Sequence, residues 1–234
     1  MSAKLEGLSL PPEWIVKWSS VHALMLVPTA FASVREVSAW PVLSIASLSL
    51  LFLLLLARQK LGRIPLWNWA NGVSVLRWGG IVFLALAAPR LQGGFFFGGG
   101  ILLMLLDGLD GRLARRQGTA TELGEYLDKE IDSLFLLVVC LSLVAEGLVG
   151  PWIIIIGLSR YLFVVALFFF KPVRPKESRS LRARFIYSGT LLILLSLFLP
   201  FPFSRSWTAL GCAAIILFSF LRDIWQLFIG KDNG

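Results

Sequence analysis

The feature that most restricts this chain is a succession of apolar runs close to the ~20 residues a helix needs to cross a hydrocarbon core. Runs such as 48–56, 153–170 and 191–198 come as blocks, not as the sparse stripes of a helix with one wet face. Of 234 residues, 57% are hydrophobic and 15% charged, where a soluble domain carries roughly 25% charged residues. Six or seven spans would use most of the chain and leave no separate soluble domain. The sequence predicts an all-α integral membrane protein.

Apolar blocks and their breakers give spans at 41–57, 73–88, 95–106, 131–149, 152–170, 185–199 and 207–229. Basic residues then orient them. Fourteen fall on one side, in 58–63, 112–129, 171–184 and at Lys231, against Arg90 and Arg205 on the other. By the positive-inside rule the loops 107–130 and 171–184 face the cytoplasm, which gives a multi-pass protein of the cell inner membrane. Residues 1–60 form an N-terminal extension with one span at 41–57. Within it 14–34, interrupted by Lys17, His22 and Pro28, reads as an interfacial helix, with an eighth span as the other reading. Residues 61–234 then form a six-helix transmembrane domain.

Several chemistries are excluded. Cys140 and Cys212 both lie in apolar runs, which removes a disulfide framework or a zinc cluster. His22 is the one histidine, so a Ser-His-Asp triad is not expected. The excess of 22 Lys+Arg over 14 Asp+Glu reflects orientation and anionic lipid or phosphate partners, not nucleic acid. No cleavable signal peptide is evident. Glycines at 93–94 and 98–100 are expected to permit close helix packing.

The chemistry concentrates in 107–132. Asp107 and Asp110 are spaced i,i+3 and Asp128 and Asp132 i,i+4, so each pair shares one helix face. Gly118 suits a helix end, and Thr119 with Glu122 reads as a capping box that starts the next helix. Two antiparallel helices joined by a tight turn would aim all four carboxylates into one cleft. Clustered carboxylates repel and are costly to desolvate unless a cation joins them. Oxygen-only donors suit Mg²⁺ or Mn²⁺, which complete their shells with water and phosphate. Gly108 and Gly111 remove side chains beside the acids, Ala114 keeps the groove open, Arg115 offers a donor fork, and Gly124 lies one turn before Asp128. A metal–diphosphate site accounts for these choices together.

The stretch D-x2-D-G-x2-A-R-x8-G-x3-D-x3-D, matched at every fixed position between 107 and 132, resembles the signature of the CDP-alcohol phosphotransferase family. Asn71, Ser74 and Arg77 resemble the N-x-x-[ST]-x-x-R opening of its first core helix. The resemblance covers roughly residues 64–230. It implies a six-helix fold, often dimeric, that moves a substituted phosphoryl group from a CDP-linked donor, usually CDP-diacylglycerol, to an alcohol, releasing CMP for phospholipid synthesis. Two Mg²⁺ or Mn²⁺ ions would sit among Asp107, Asp110 and Asp128. Asp132, in the same acidic set, would be the general base. Asn71, Ser74, Arg77, Gly111, Ala114, Arg115 and Gly124 would shape the nucleotide pocket. Members with a phosphorylated acceptor hold its phosphate with basic residues where Arg160, Arg179 and Arg182 stand here. Glycerol 3-phosphate is the leading acceptor. The segment Asp128-Lys129-Glu130-Ile131-Asp132-Ser133 lacks the Asp-Pro and Asp-Lys neighbours often found in glycerophosphate-transferring members. Inositol phosphate, serine and other polyols therefore stay open. A divalent-cation transporter is the competing class, but its acids usually lie near the bilayer midplane on repeated or broken helices.

Overall fold

The computed structural model describes residues 13–61, 69–87, 92–117, 122–170, 181–200 and 204–228. The regular structure there is helical: α1 (Glu13–Arg35), α2 (Trp40–Leu61), α3 (Trp69–Ala87), α4 (Gly93–Gln117), α5 (Glu122–Ala145), α6 (Ile154–Phe170), α7 (Leu181–Ser196) and α8 (Arg205–Phe228). A 3-10 turn, Pro151–Ile153, leads into α6, and a proline fits there because the first turn of a helix has no use for its N–H. The seven expected spans correspond to α2 through α8. Glu13–Arg35, Trp40–Lys60 and Pro151–Phe169 are long and apolar enough to cross a membrane, and Gly72–Ala87, Gly93–Gly108 and Arg184–Ser196 are shorter apolar helices. Large apolar side chains face outward, Phe185 and Trp207 each 75% exposed. That surface suits lipid and not water. The chain is an all-α membrane protein.

α5 is the central helix. Positions 133–143 are all buried, as expected of a helix apolar on every side, and α1, α3, α6 and α7 pack around it. Glycines set the closest approaches. A Cβ on Gly157 of α6 would lie 2.8 Å from the Leu137 Cα of α5. Cβ atoms on Gly99 and Gly100 of α4 would strike Leu84 of α3 and Leu195 of α7, and one on Gly93 would strike the Phe198 carbonyl. Gly94 and Gly98 face open space, so only part of the glycine-rich start of α4 serves packing. Phe96 and Phe198 stack beside it with ring centroids 4.1 Å apart.

Where the sequence suggested an interfacial helix, α1 is one continuous helix packed against α2, α5 and α6. Ile15 and Trp18 cluster with Leu53 and Ala57 of α2 and with Leu123 and Leu127 of α5. Further on, Ala23, Leu26 and Ala30 join the main core. α1 and α5 therefore start at the same end of the bundle. The interruptions are accommodated locally. Lys17 pairs with Glu13 on the exposed face, Pro28 points outward, and His22 turns inward.

Two helix ends close in the same way. After α5, Gly147 (φ +67°) lets its own N–H reach the Val144 carbonyl and the Leu148 N–H reach the Leu143 carbonyl. After α1 the same pair of bonds, Val37 to Val34 and Ser38 to Ser33, forms around Val37 at φ 53°. A β-branched residue is strained in that left-handed region, and glycine is not. Val37→Gly is therefore expected to stabilise the protein by about 1 kcal/mol, read as a higher melting temperature in detergent. An unchanged or lower value would mean that no strain resides there.

Candidate active site

The acidic face forms where α3 packs against both α4 and α5. α4 supplies Asp107, and α5 supplies Asp128 and Asp132, one turn apart on a single face. From α3 comes Arg77, whose side chain is only 2% exposed. Its Nη1 lies 2.9 Å from Asp107 Oδ1 and 3.3 Å from Asp128 Oδ1. Its Nη2 donates to Asp132 Oδ1 at 2.5 Å. Three acids from two helices thus meet on one guanidinium from a third.

Their spacing creates an electrostatic demand. Because Asp107 and Asp128 share Nη1, their contacting oxygens lie no more than about 6 Å apart. Two like charges at about 6 Å repel by about 3 kcal/mol at an effective dielectric near 20. The acids are each about a third exposed, at 37%, 36% and 29%, so they are not sealed in apolar core. With all three ionised, they and Arg77 carry a formal charge of −2. A hard divalent cation would neutralise that charge, and carboxylate oxygens are its natural donors. Among the described residues, however, no group of three Asp, Glu, His or Cys side chains is already closed around an ion-sized point; the cation at the centre is the guanidinium. The donor chemistry fits a divalent ion, and Asp107 and Asp128 are the described residues that would hold it, with Asp132 beside them.

The surroundings keep access open. A Cβ at Gly108, next to Asp107, would meet nothing within 4 Å. Gly124 lies one turn before Asp128 on α5, and Ser74 lies one turn before Arg77 on α3, half-buried. The Tyr187 hydroxyl of α7 donates to the Asp132 carbonyl at 2.7 Å, which ties α7 to the backbone of the proposed base. Asn71 lies in α3, and Asp110, Gly111, Ala114 and Arg115 continue α4, but their side chains fall outside the described residues, as does Arg179.

The basic residues assigned to an acceptor phosphate do not share one setting. Arg182 stands half-buried in the first turn of α7. Arg160 of α6 is 13% exposed and places Nη1 2.8 Å from Glu130 Oε2. Glu130, Tyr187 and the pairing of Arg77 with the carboxylates were not singled out from the sequence. A usable signal for Glu130 existed, since the charge of Arg160 inside an apolar span calls for a counter-charge.

The family model described as CDP-alcohol phosphatidyltransferase matches residues 67–224, about two thirds of the chain. That stretch contains Arg77 and all the carboxylates above, and leaves α1 and α2 outside. No curated protein and no solved structure matches the chain.

Proposed function

Because the chain belongs to the CDP-alcohol phosphatidyltransferase family, a family that transfers a phosphatidyl group from a CDP-alcohol to an acceptor, we propose that its donor is CDP-diacylglycerol. The acceptor is a small cytoplasmic alcohol, with glycerol 3-phosphate ahead of inositol phosphate, serine and other polyols. The observation that carries this reading is the convergence of Asp107, Asp128 and Asp132 on Arg77 at the polar end of an apolar bundle. A lipid donor keeps its acyl chains in the bilayer while its diphosphate enters that cleft. The cleft faces the cytoplasm of a cell inner membrane, where the acceptor is dissolved.

In this mechanism Asp132 accepts the proton of the acceptor hydroxyl as the oxygen attacks the phosphorus next to the diacylglycerol. The bond from that phosphorus to the CMP oxygen breaks, and CMP departs with the electron pair. Mg²⁺ or Mn²⁺ bound by Asp107, Asp110 and Asp128 would supply charge neutralisation for the diphosphate and the departing CMP. Arg77 fixes the rotamers of the carboxylates from within, and Tyr187 holds the backbone carrying Asp132. Asn71, Ser74, Gly111, Ala114, Arg115 and Gly124 shape the nucleotide side of the cleft. Arg179 and Arg182, where the chain enters α7, receive the acceptor's phosphate.

The test is CMP release by the purified protein in detergent with labelled CDP-diacylglycerol and a panel of acceptors, the lipid product read by mass. Release is expected to need one acceptor and a divalent ion, and to stop with EDTA. Folded protein that releases no CMP with any acceptor in Mg²⁺ or Mn²⁺ would overturn the reading.

A further inference from the structure

On the face of α5 turned away from the cleft lies a second polar cluster, built between helices that the family match does not unite. Glu130 is 2% exposed. Its Oε1 accepts a hydrogen bond from Ser19 Oγ of α1 at 3.1 Å, and its Oε2 lies 2.8 Å from Arg160 Nη1 of α6. His22 of α1, also 2% exposed, brings Nε2 to 3.6 Å from the same oxygen. The His22 ring stacks on Trp18 with centroids 4.9 Å apart and meets Tyr161 edge-on at 5.9 Å. Trp18 in turn donates its indole N–H to the Ser49 carbonyl of α2 at 3.0 Å. Three helices are joined on one carboxylate, and a fourth is tied on through Trp18.

A charged pair buried in apolar surroundings is not the cheapest way to hold helices together. Apolar side chains of similar volume often stabilise equally well or better, while polar contacts fix one rotation and one register. The position of Glu130 says what is being fixed. At 100° per residue Glu130 points about 160° away from both Asp128 and Asp132. Whatever sets the rotation of α5 at Glu130 therefore sets where those two carboxylates lie. A rotation of about 10° would move a carboxylate held roughly 6 Å from the axis by about 1 Å, and displacements of that size can cost about 10²-fold in rate.

We propose that Ser19, His22, Glu130 and Arg160 form a clasp through which α1 holds α5 in its productive rotation, so that they act as positioning residues for Asp128 and Asp132. This gives the N-terminal extension a part in the reaction. It also gives Arg160 a role at the clasp in place of the acceptor phosphate. The inference rests on the transferase reading for its kinetic consequence, though not for its structural one.

Two full-length variants test it. Ser19→Ala/His22→Leu alters only α1 and keeps the Glu130–Arg160 pair. Glu130→Gln/Arg160→Met removes both buried charges together, so neither is left unpaired. Both are expected to stay folded and monodisperse, to lower kcat about tenfold or more, and to leave the donor and acceptor KM within about twofold. Amide hydrogen exchange over 124–133 is expected to quicken in both, while that of α3 stays the same. Wild-type kcat and exchange in both variants would overturn the clasp. So would a kcat loss that only follows the fraction of folded protein. A rise confined to the acceptor KM in the Arg160 variant would return that arginine to phosphate binding. If the wild type releases no CMP, the transferase reading falls, and the exchange measurement still decides the clasp.

Discussion

Asp132→Asn is expected to lower CMP release by about 10²–10⁴-fold, the range that a positioned general base contributes, with the donor KM changed by less than about threefold. Asparagine keeps the shape of the side chain and can still meet Arg77 through its amide oxygen. The Tyr187 bond runs to the backbone carbonyl, which the substitution does not touch. What is lost is the oxygen able to take a proton. A kinetic split of this kind separates a base from a donor ligand, because loss of a ligand to the diphosphate complex would weaken donor binding as well. The measurement is steady-state CMP release at varied CDP-diacylglycerol with saturating acceptor. A rate near that of the wild type would remove Asp132 from the proton transfer. A donor KM raised as much as kcat is lowered would recast it as a ligand.

The seven apolar runs could be located from the sequence because the length and breakers of each run are local properties; each of α2 to α8 takes up most of one run, while α4 and α5 also extend into the polar stretch between theirs. α1 was harder to read. Lys17, His22 and Pro28 all look unfavourable to a buried helix until tertiary structure supplies an outward face for two of them and Glu130 for the third. The pairing of Asp128 with Asp132 on one face follows from helical period alone. What period cannot supply is the helix lying opposite. The sequence presented α4 and α5 as a self-contained acidic hairpin, whereas α3 packs against both and brings Arg77 between their carboxylates. Arg77 read as a nucleotide residue because its motif is a stretch of α3 considered alone. Glu130 was passed over for the same reason: it lies among the acids in sequence but on the opposite face of their helix.

That central position makes Arg77 the residue whose removal should be felt most widely. Arg77→Met takes away the one described cation at the heart of the site and leaves Asp107, Asp128 and Asp132 to repel one another. Breaking a fully buried ion pair costs about 3–5 kcal/mol. Here each acid is about a third exposed, and solvent screening puts the expected loss near the lower end, about 3 kcal/mol. Turnover is expected to fall by more than about 10²-fold, since carboxylates no longer held together lose the placement that the chemistry needs. Arg77→Lys should be intermediate. It keeps the charge, but a single ammonium cannot reproduce a fork that meets Asp107 and Asp128 through one nitrogen and Asp132 through the other. A divalent ion should lessen the defect, because it supplies to the same oxygens the charge that Arg77 no longer provides. Thermal unfolding in detergent, with EDTA and then with Mg²⁺ or Mn²⁺, reads this directly. The melting temperature of Arg77→Met should lie well below that of the wild type in EDTA, and the gap should narrow with the ion. Equal melting temperatures and equal turnover would show that the acids hold their places without Arg77.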